Sequence, residues 1–256
     1  MNLDLGELLA WAPGFALVLA RVAAAMVLMP GLGESVVPSI VRIGIALCVT
    51  IVVLPILQPI MPAVPASGLV MGLMVMGEVV TGLWFGWLTR MIVLALPMGA
   101  QFAAYFLGIS SVLQPDAELG PQSTALAKLF ELAAPMMILA SGLYALPLRA
   151  LVGLFQLIPP GEMLPAADSL QLAVQAVGTA FTLALKVASP FVVAVITWHI
   201  AMGQIARVVS RVPIYFVAMP AQILGGLVLL ATVAGGMIVA WRGGVESFLG
   251  TLPGAG

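Results

Sequence analysis

The stretch Ile43–Met61 reads IGIALCVTIVVLPILQPIM and contains no charged residue, and the next charge along the chain is Glu78. About 20 apolar residues span the hydrocarbon core of a bilayer as a helix, so this stretch predicts a membrane helix. The same composition runs through all 256 residues, of which 62% are hydrophobic and 7% charged. A soluble domain carries about 25% charged residues. The sequence therefore excludes a free-standing soluble enzyme and predicts an all-α, polytopic helical membrane protein.

Six further apolar runs punctuate the chain: Leu8–Met29, Gly68–Pro97, Met91–Leu113, Thr124–Leu157, Leu170–Met202 and Ile214–Trp241. The run from Thr124 is too long for one span, and Pro135, Ser141-Gly142 and Pro147 predict two short helices folded as a hairpin. No polar linker separates soluble domains, so residues 1–256 are expected to form a single integral membrane domain. The basic loop from Arg207 to Arg211 is expected to face the cytoplasm.

Sequence signatures of catalysis are missing. The chain has no HExxH, GxSxG, Walker or GxGxxG motif, and His199 and Cys48 are its single histidine and cysteine. One histidine and one cysteine cannot build a protein metal site alone. A net charge of −1 gives no basic surface for nucleic acid. We therefore expect no enzyme activity, no cofactor, no metal and no nucleic-acid partner.

Glu78 is the acidic residue deepest in apolar sequence. A carboxylate in such a position is a functional candidate, because its desolvation is expensive. We expect a packed pair with an arginine or with helix N-termini at an interface, and proton transport is the alternative. Lys128 and Glu131 are three residues apart and are expected to pair locally.

Three small-xxx-small spacings predict close helix contacts: Gly68–Gly72, Gly82–Gly86 and Ala221–Gly225. With 27 glycines in the chain, such spacings also arise by chance. His199 is expected to hydrogen-bond between helices, with a proton relay as the alternative.

The order of residues along nearly the whole chain resembles that of the FliR family. The resemblance is carried by Arg21, Pro30, Val37–Arg42, Glu78–Gly82, Gly108–Ser110, Asp116, Ala184–Pro190 and Arg207–Ile223. It implies a core channel subunit of the flagellar type III export gate in the bacterial inner membrane, at the flagellar basal body. The implied partners are FliP-, FliQ-, FlhB- and FlhA-like components, lipid and exported unfolded proteins. An injectisome export-gate subunit is one alternative, and a proton-coupled secondary transporter is another from a different class.

The resemblance also implies a division of the chain into a FliP-like part, about residues 1–169, and a FliQ-like hairpin, about residues 170–256. A loop over residues 107–123 is implied to plug the pore. Its expected plug residues are polar or glycine: Gly108, Ser110, Ser111, Gln114, Asp116, Glu118 and Gly120. An ordinary solvated loop is the alternative for this segment. Buried polar or interface positions are expected at Arg21, Arg42, Glu78, Lys186, Arg207 and Arg211.

Overall fold

The structure, a computed structural model, describes residues 5–34, 37–63, 65, 67–108, 124–208 and 214–255, and these contain helices and no strand. Eight α-helices follow one another: α1 Leu5–Leu28, α2 Ser39–Leu57, α3 Gly68–Val93, α4 Ala95–Phe106, α5 Ala125–Ala140, α6 Ala145–Leu157, α7 Ala166–Val208 and α8 Ile214–Leu249. A 3₁₀ turn, Gln58–Ile60, follows α2. Five stretches are long and apolar enough to cross a membrane, and α5 with α6 adds a sixth if the bent pair is one span. The predicted all-α polytopic fold is confirmed.

The break between α5 and α6 lies at Ser141-Gly142, one of the predicted breakers, but the angle between the helices differs from the prediction. Pro135 lies inside α5, and Pro147 lies in the first turn of α6, where no intrahelical N–H bond is needed. Helix α5 ends at Ala140, and the chain turns at the predicted Gly142, whose φ is +75°. Glycine adopts this left-handed conformation without a steric penalty. The chain bends by 72° there, which is less than the reversal of direction that the predicted hairpin requires.

Two other predicted boundaries move. The predicted basic loop from Arg207 to Arg211 begins inside α7, which runs for 43 residues and ends at Val208. The apolar run Met91–Leu113 contains the last residues of α3 and the 12-residue α4 in the described part of the chain. At 1.5 Å per residue α4 is about 18 Å long, too short to span a bilayer alone. It continues the apolar stretch of α3 as one candidate span, Gly68–Phe106.

The chain divides into two compact units. Unit 1 comprises Met1–Ile92, Pro135–Ala176 and Glu246–Gly256, and unit 2 comprises Val93–Ala134 and Val177–Val245. Among the fully buried side chains of unit 1 are Leu17, Val18, Ala25, Phe85, Leu88 and Phe155. Among those of unit 2 are Leu96, Ala100, Ala103, Ala184, Phe191 and Trp241. The Trp241 indole donates a 3.2 Å hydrogen bond to the Val93 carbonyl inside unit 2, which satisfies its polar atom in an apolar core.

Candidate functional site

An ion pair between α1 and α3 lies at the centre of unit 1. The Arg21 Nε donates to Glu78 Oε2 at 2.5 Å, and Nη2 donates to Oε1 at 3.1 Å. Both side chains are fully buried. Two parallel N–H···O bonds fix the planar guanidinium against the carboxylate. Glu78 therefore has a buried arginine partner, which lies 57 residues away in sequence.

The turn between α6 and α7 completes the coordination of this pair. Arg21 Nη1 donates to the Ile158 carbonyl at 2.7 Å, and Nη2 reaches the Pro159 carbonyl at 3.5 Å. The Gly161 N–H donates to Glu78 Oε1 at 2.6 Å. The cation thus takes two backbone acceptors, and the anion takes a backbone donor. We call this arrangement of Arg21, Glu78 and the turn 158–161 the unit 1 clamp.

An aromatic ring closes the unit 1 clamp on one side. The guanidinium carbon of Arg21 lies 4.2 Å from the centre of the Phe155 ring, a cation–π geometry. Burying two charges is costly unless hydrogen bonds satisfy their remaining donors and acceptors. Among the described residues, no buried side-chain nitrogen or oxygen lacks a hydrogen-bond partner. The unit 1 clamp is therefore a satisfied polar network that joins α1, α3 and the α6–α7 turn.

Two glycines let α1 and α3 approach closely enough for this pair to form. A Cβ on Gly82 would collide with the Arg21 carbonyl and lie 2.9 Å from the Ala24 Cβ. A Cβ on Gly86 would collide with the Ala25 carbonyl. Of the three predicted small-xxx-small spacings, Gly82–Gly86 therefore forms a close contact between helices. A Cβ on Gly68, Gly72 or Gly225 would meet nothing within 4 Å.

The other predicted buried or interface residues lie in different surroundings. Arg42 is half-buried, and its Nε donates to the Val37 carbonyl at 3.2 Å. Lys186 and Arg207 are exposed on α7. Arg211 lies outside the described residues. Of the predicted buried or interface residues, Arg21 and Glu78 are thus brought together, and Arg42 makes a separate local contact.

Most of the predicted plug residues lie outside the described part of the chain: Ser110, Ser111, Gln114, Asp116, Glu118 and Gly120. Gly108 is described and has a φ of +72°, a left-handed conformation that favours glycine. It follows α4, whose C-terminal turn is closed by hydrogen bonds from the Leu107 N–H to the Ala103 carbonyl at 2.9 Å and from the Gly108 N–H to the Tyr105 carbonyl at 3.1 Å. The glycine therefore lies just beyond the end of α4, in a conformation that does not continue the helix.

Both flanks of segment 109–123 are anchored within unit 2. On the entering side, the Leu107 side chain packs so tightly over Gly226 that a Cβ there would collide with it. The Gln222 amide donates to the Phe106 carbonyl at 3.3 Å. On the leaving side, the Thr124 N–H and hydroxyl both donate to Gln101 Oε1 at 3.0 Å. The Thr124 Oγ1 in turn accepts the Ala127 N–H at 3.2 Å, which caps α5.

Sequence reasoning missed these anchoring residues. Gln101 and Gln222 are isolated amides in apolar helices, and an amide in such a position needs a polar partner. The sequence therefore indicated that each of these amides needs a polar partner, but it did not indicate which residue the partner is.

His199 was expected to bond between helices, but its Nδ1 lies 2.8 Å from the Val195 carbonyl of its own helix. Lys128 and Glu131 form the predicted local pair at 2.9 Å. The described residues contain no group of three or more His, Cys, Asp or Glu side chains placed to hold a metal ion.

Comparison with known proteins assigns the family. The profile of bacterial export proteins, family 1, matches residues 12–248. The flagellar biosynthetic protein FliR of Caulobacter vibrioides is 29% identical over 226 residues, which cover 88% of this chain and 90% of that protein. The protein of the same name from Bacillus subtilis is 24% identical over 221 residues, 85% of each chain. The chain therefore belongs to the bacterial export proteins, family 1, the family that includes the flagellar biosynthetic protein FliR.

Proposed function

We propose that the chain is a core channel subunit of a flagellar type III export gate in the bacterial inner membrane. In this role it helps to form and plug the pore through which unfolded flagellar proteins leave the cell. Its proposed partners are FliP- and FliQ-like channel subunits and FlhB- and FlhA-like export components. Family membership and the names of both relatives support a flagellar rather than an injectisome system.

The amount of unpartnered apolar surface supports a subunit that works inside an assembly. In an apolar 18-residue window of the span Val217–Leu249 only 11% of the residues are buried within the chain, and in such a window of Ala166–Val208 the share is 33%. Exposed apolar patches of this extent need a cover of lipid or protein. Neighbouring channel subunits and lipid would supply that cover together.

The observation that carries the plug proposal is the double anchoring of segment 109–123. Leu107 over Gly226 and Thr124 on Gln101 tie both flanks of the segment to the helices of unit 2. The segment itself is polar and contains glycine and proline in a chain that is 62% hydrophobic. A plug must close a conduit at rest and yield to a polypeptide, which suits a polar segment held by modest hydrogen bonds of about 1 kcal/mol each.

The surroundings of Glu78 do not favour a proton-coupled transporter. Its carboxylate is bound by a permanently charged guanidinium and by the Gly161 N–H. Neutralising the Glu78 carboxylate would leave the buried Arg21 guanidinium without its counter-ion, at a cost of about 3–5 kcal/mol. A structural role for the pair fits this arrangement, and no second function is proposed.

Deletion of Ser110–Gly120 tests the proposal. The complex with the FliP- and FliQ-like subunits should still assemble, and cells carrying it should become permeable to ions and small solutes. A matched control replaces the same residues with an equally long Gly/Ser segment, which keeps the chain length and removes the native side chains. An assembled, deleted complex in a membrane of unchanged permeability would refute the plug role.

A further inference from the structure

The face of α7 that points away from the core of unit 2 carries a line of polar side chains. The opposite face is buried, through Ala180, Ala184, Val187, Ala188 and Phe191. The polar residues follow helical spacing and are all exposed: Thr179, Thr182, Lys186, Ser189 and Thr197. We call these five residues the α7 polar stripe. From Thr179 to Thr197 it extends about 27 Å at 1.5 Å per residue, close to the thickness of a bilayer core.

Lys186 lies in the middle of the α7 polar stripe. It is the single charged residue between Asp168 and Arg207. Among the described residues no ion pair or hydrogen bond engages its ammonium group. Its neighbours Phe181, Leu185 and Val193 are large, apolar and exposed. An ammonium group among such side chains is expensive in lipid unless a polar or charged partner reaches it.

Three hydroxyls of the α7 polar stripe are satisfied within the helix itself. Thr182 donates to the Gly178 carbonyl, Ser189 to the Lys186 carbonyl and Thr197 to the Val193 carbonyl, each at 2.8 Å. Water is therefore not needed to satisfy these donors. Because Ser and Thr are small, this face also permits another helix to approach closely. The ammonium of Lys186 is the group on this face that still requires an external partner.

We propose that the α7 polar stripe is the docking face for a membrane helix of a partner subunit, and that this helix presents a carboxylate to Lys186. The proposal deepens the proposed function, on which it rests, by giving one of the channel contacts its chemistry. Charge complementarity selects the partner, because a carboxylate neutralises the ammonium while a small-residue helix surface matches the Ser and Thr positions. A lipid headgroup could pair with the ammonium of Lys186 at one depth in the membrane. It would not explain why small polar residues continue along the whole α7 polar stripe.

The first test compares charge variants in the co-expressed membrane complex. The tagged chain is purified in detergent and the co-purifying channel subunits are quantified. Lys186→Glu should reduce their recovery about tenfold or more, because like charges would then face each other at a buried contact. Lys186→Arg should preserve recovery. Arg242→Glu is the matched control, since it reverses an exposed charge on α8 and should leave recovery unchanged.

The second test identifies what faces the stripe. A photo-crosslinking amino acid at position 182 should give an adduct with a partner helix. Changing the carboxylate nearest the crosslink to lysine in that partner should restore assembly of Lys186→Glu. Adducts with lipid alone would overturn the proposal. So would labelling of Lys186→Cys, in a Cys48→Ser background, by a membrane-impermeant thiol reagent in the assembled complex.

The two proposals fail in different ways. If the unaltered chain recovers no FliP- or FliQ-like subunit, the proposed function is wrong. If the unaltered chain recovers them and Lys186→Glu recovers them equally well, the function stands and the α7 docking face is wrong.

Discussion

Charged residues within apolar helices are buried and paired in unit 1, at Arg21 and Glu78, but exposed in unit 2, at Lys186. In unit 1, Arg21 and Glu78 are fully buried and satisfy each other together with the backbone of the α6–α7 turn. In unit 2, Lys186 is exposed and has no partner among the described residues. The comparison teaches that a charge in an apolar helix has two structural uses. It holds elements of the same chain together, or it remains available for contact with another molecule.

Exchanging the charges of the unit 1 clamp should have the largest effect on stability. In Arg21→Glu with Glu78→Arg the ion pair is formally retained. The new carboxylate, however, would face the Ile158 and Pro159 carbonyls, and the new guanidinium would face the Gly161 N–H. Removing one partner of a buried pair costs about 3–5 kcal/mol. Each single change should cost more than that because it also brings two like charges together, and the double change should not restore the loss. The amount of protein in the membrane and its thermal stability in detergent measure this.

An exposed pair of unit 1 provides the control for that exchange. Arg90 and Glu34 lie 3.7 Å apart and are about one-third exposed. Exchanging them by Arg90→Glu with Glu34→Arg should change stability by less than about 1 kcal/mol, since exposed pairs contribute little. If exchanging Arg21 and Glu78 is equally harmless, the backbone contacts of the unit 1 clamp do not determine which of the two positions carries the positive charge. The contrast drawn between this buried pair and Lys186 would then be wrong.

The close approach of α1 and α3 predicts an intermediate effect. Gly82→Ala places a methyl group against the Arg21 carbonyl and should cost about 1–3 kcal/mol through overpacking. Gly72→Ala, on the same helix but in open space, should be neutral or stabilising by up to about 1 kcal/mol, because alanine favours helix. Thermal unfolding of the two purified variants tests the difference. Equal effects would mean that the glycine spacing does not set the contact beneath the ion pair.

The smallest effect is expected in unit 2, at the leaving flank of segment 109–123. Thr124→Ala removes the cap on the Ala127 N–H and the hydroxyl bond to Gln101. It should cost about 1 kcal/mol of stability. Thr232→Ala on α8 is the control, since that hydroxyl donates only to the Leu229 carbonyl of its own helix. Thermal unfolding measures both, and a larger loss from Thr232→Ala would contradict the anchoring role of Thr124.

Several details of the fold and site could be predicted from sequence, and others could not. The apolar runs located the membrane helices, and the i, i+3 spacing located the Lys128–Glu131 pair, because both are local properties of the chain. The break at Ser141-Gly142 was likewise predicted, whereas the 72° bend there was not, because it depends on the φ of +75° at Gly142. The continuation of α7 to Val208 was not predicted either, because the arginines from Arg207 to Arg211 suggested a loop.

The sequence by itself determined that this protein is an all-α membrane protein of the FliR family, since run length, charge content and residue order are properties of the linear chain. It also identified Glu78 as a carboxylate that needed a partner. Only the tertiary structure decided that the partner is Arg21, 57 residues away, and that the Ile158 carbonyl, 137 residues from Arg21, completes the site. It also selected Gly82–Gly86 among three similar spacings. The physical reason is that such contacts depend on which faces of distant helices meet, and spacing along one helix does not contain that information.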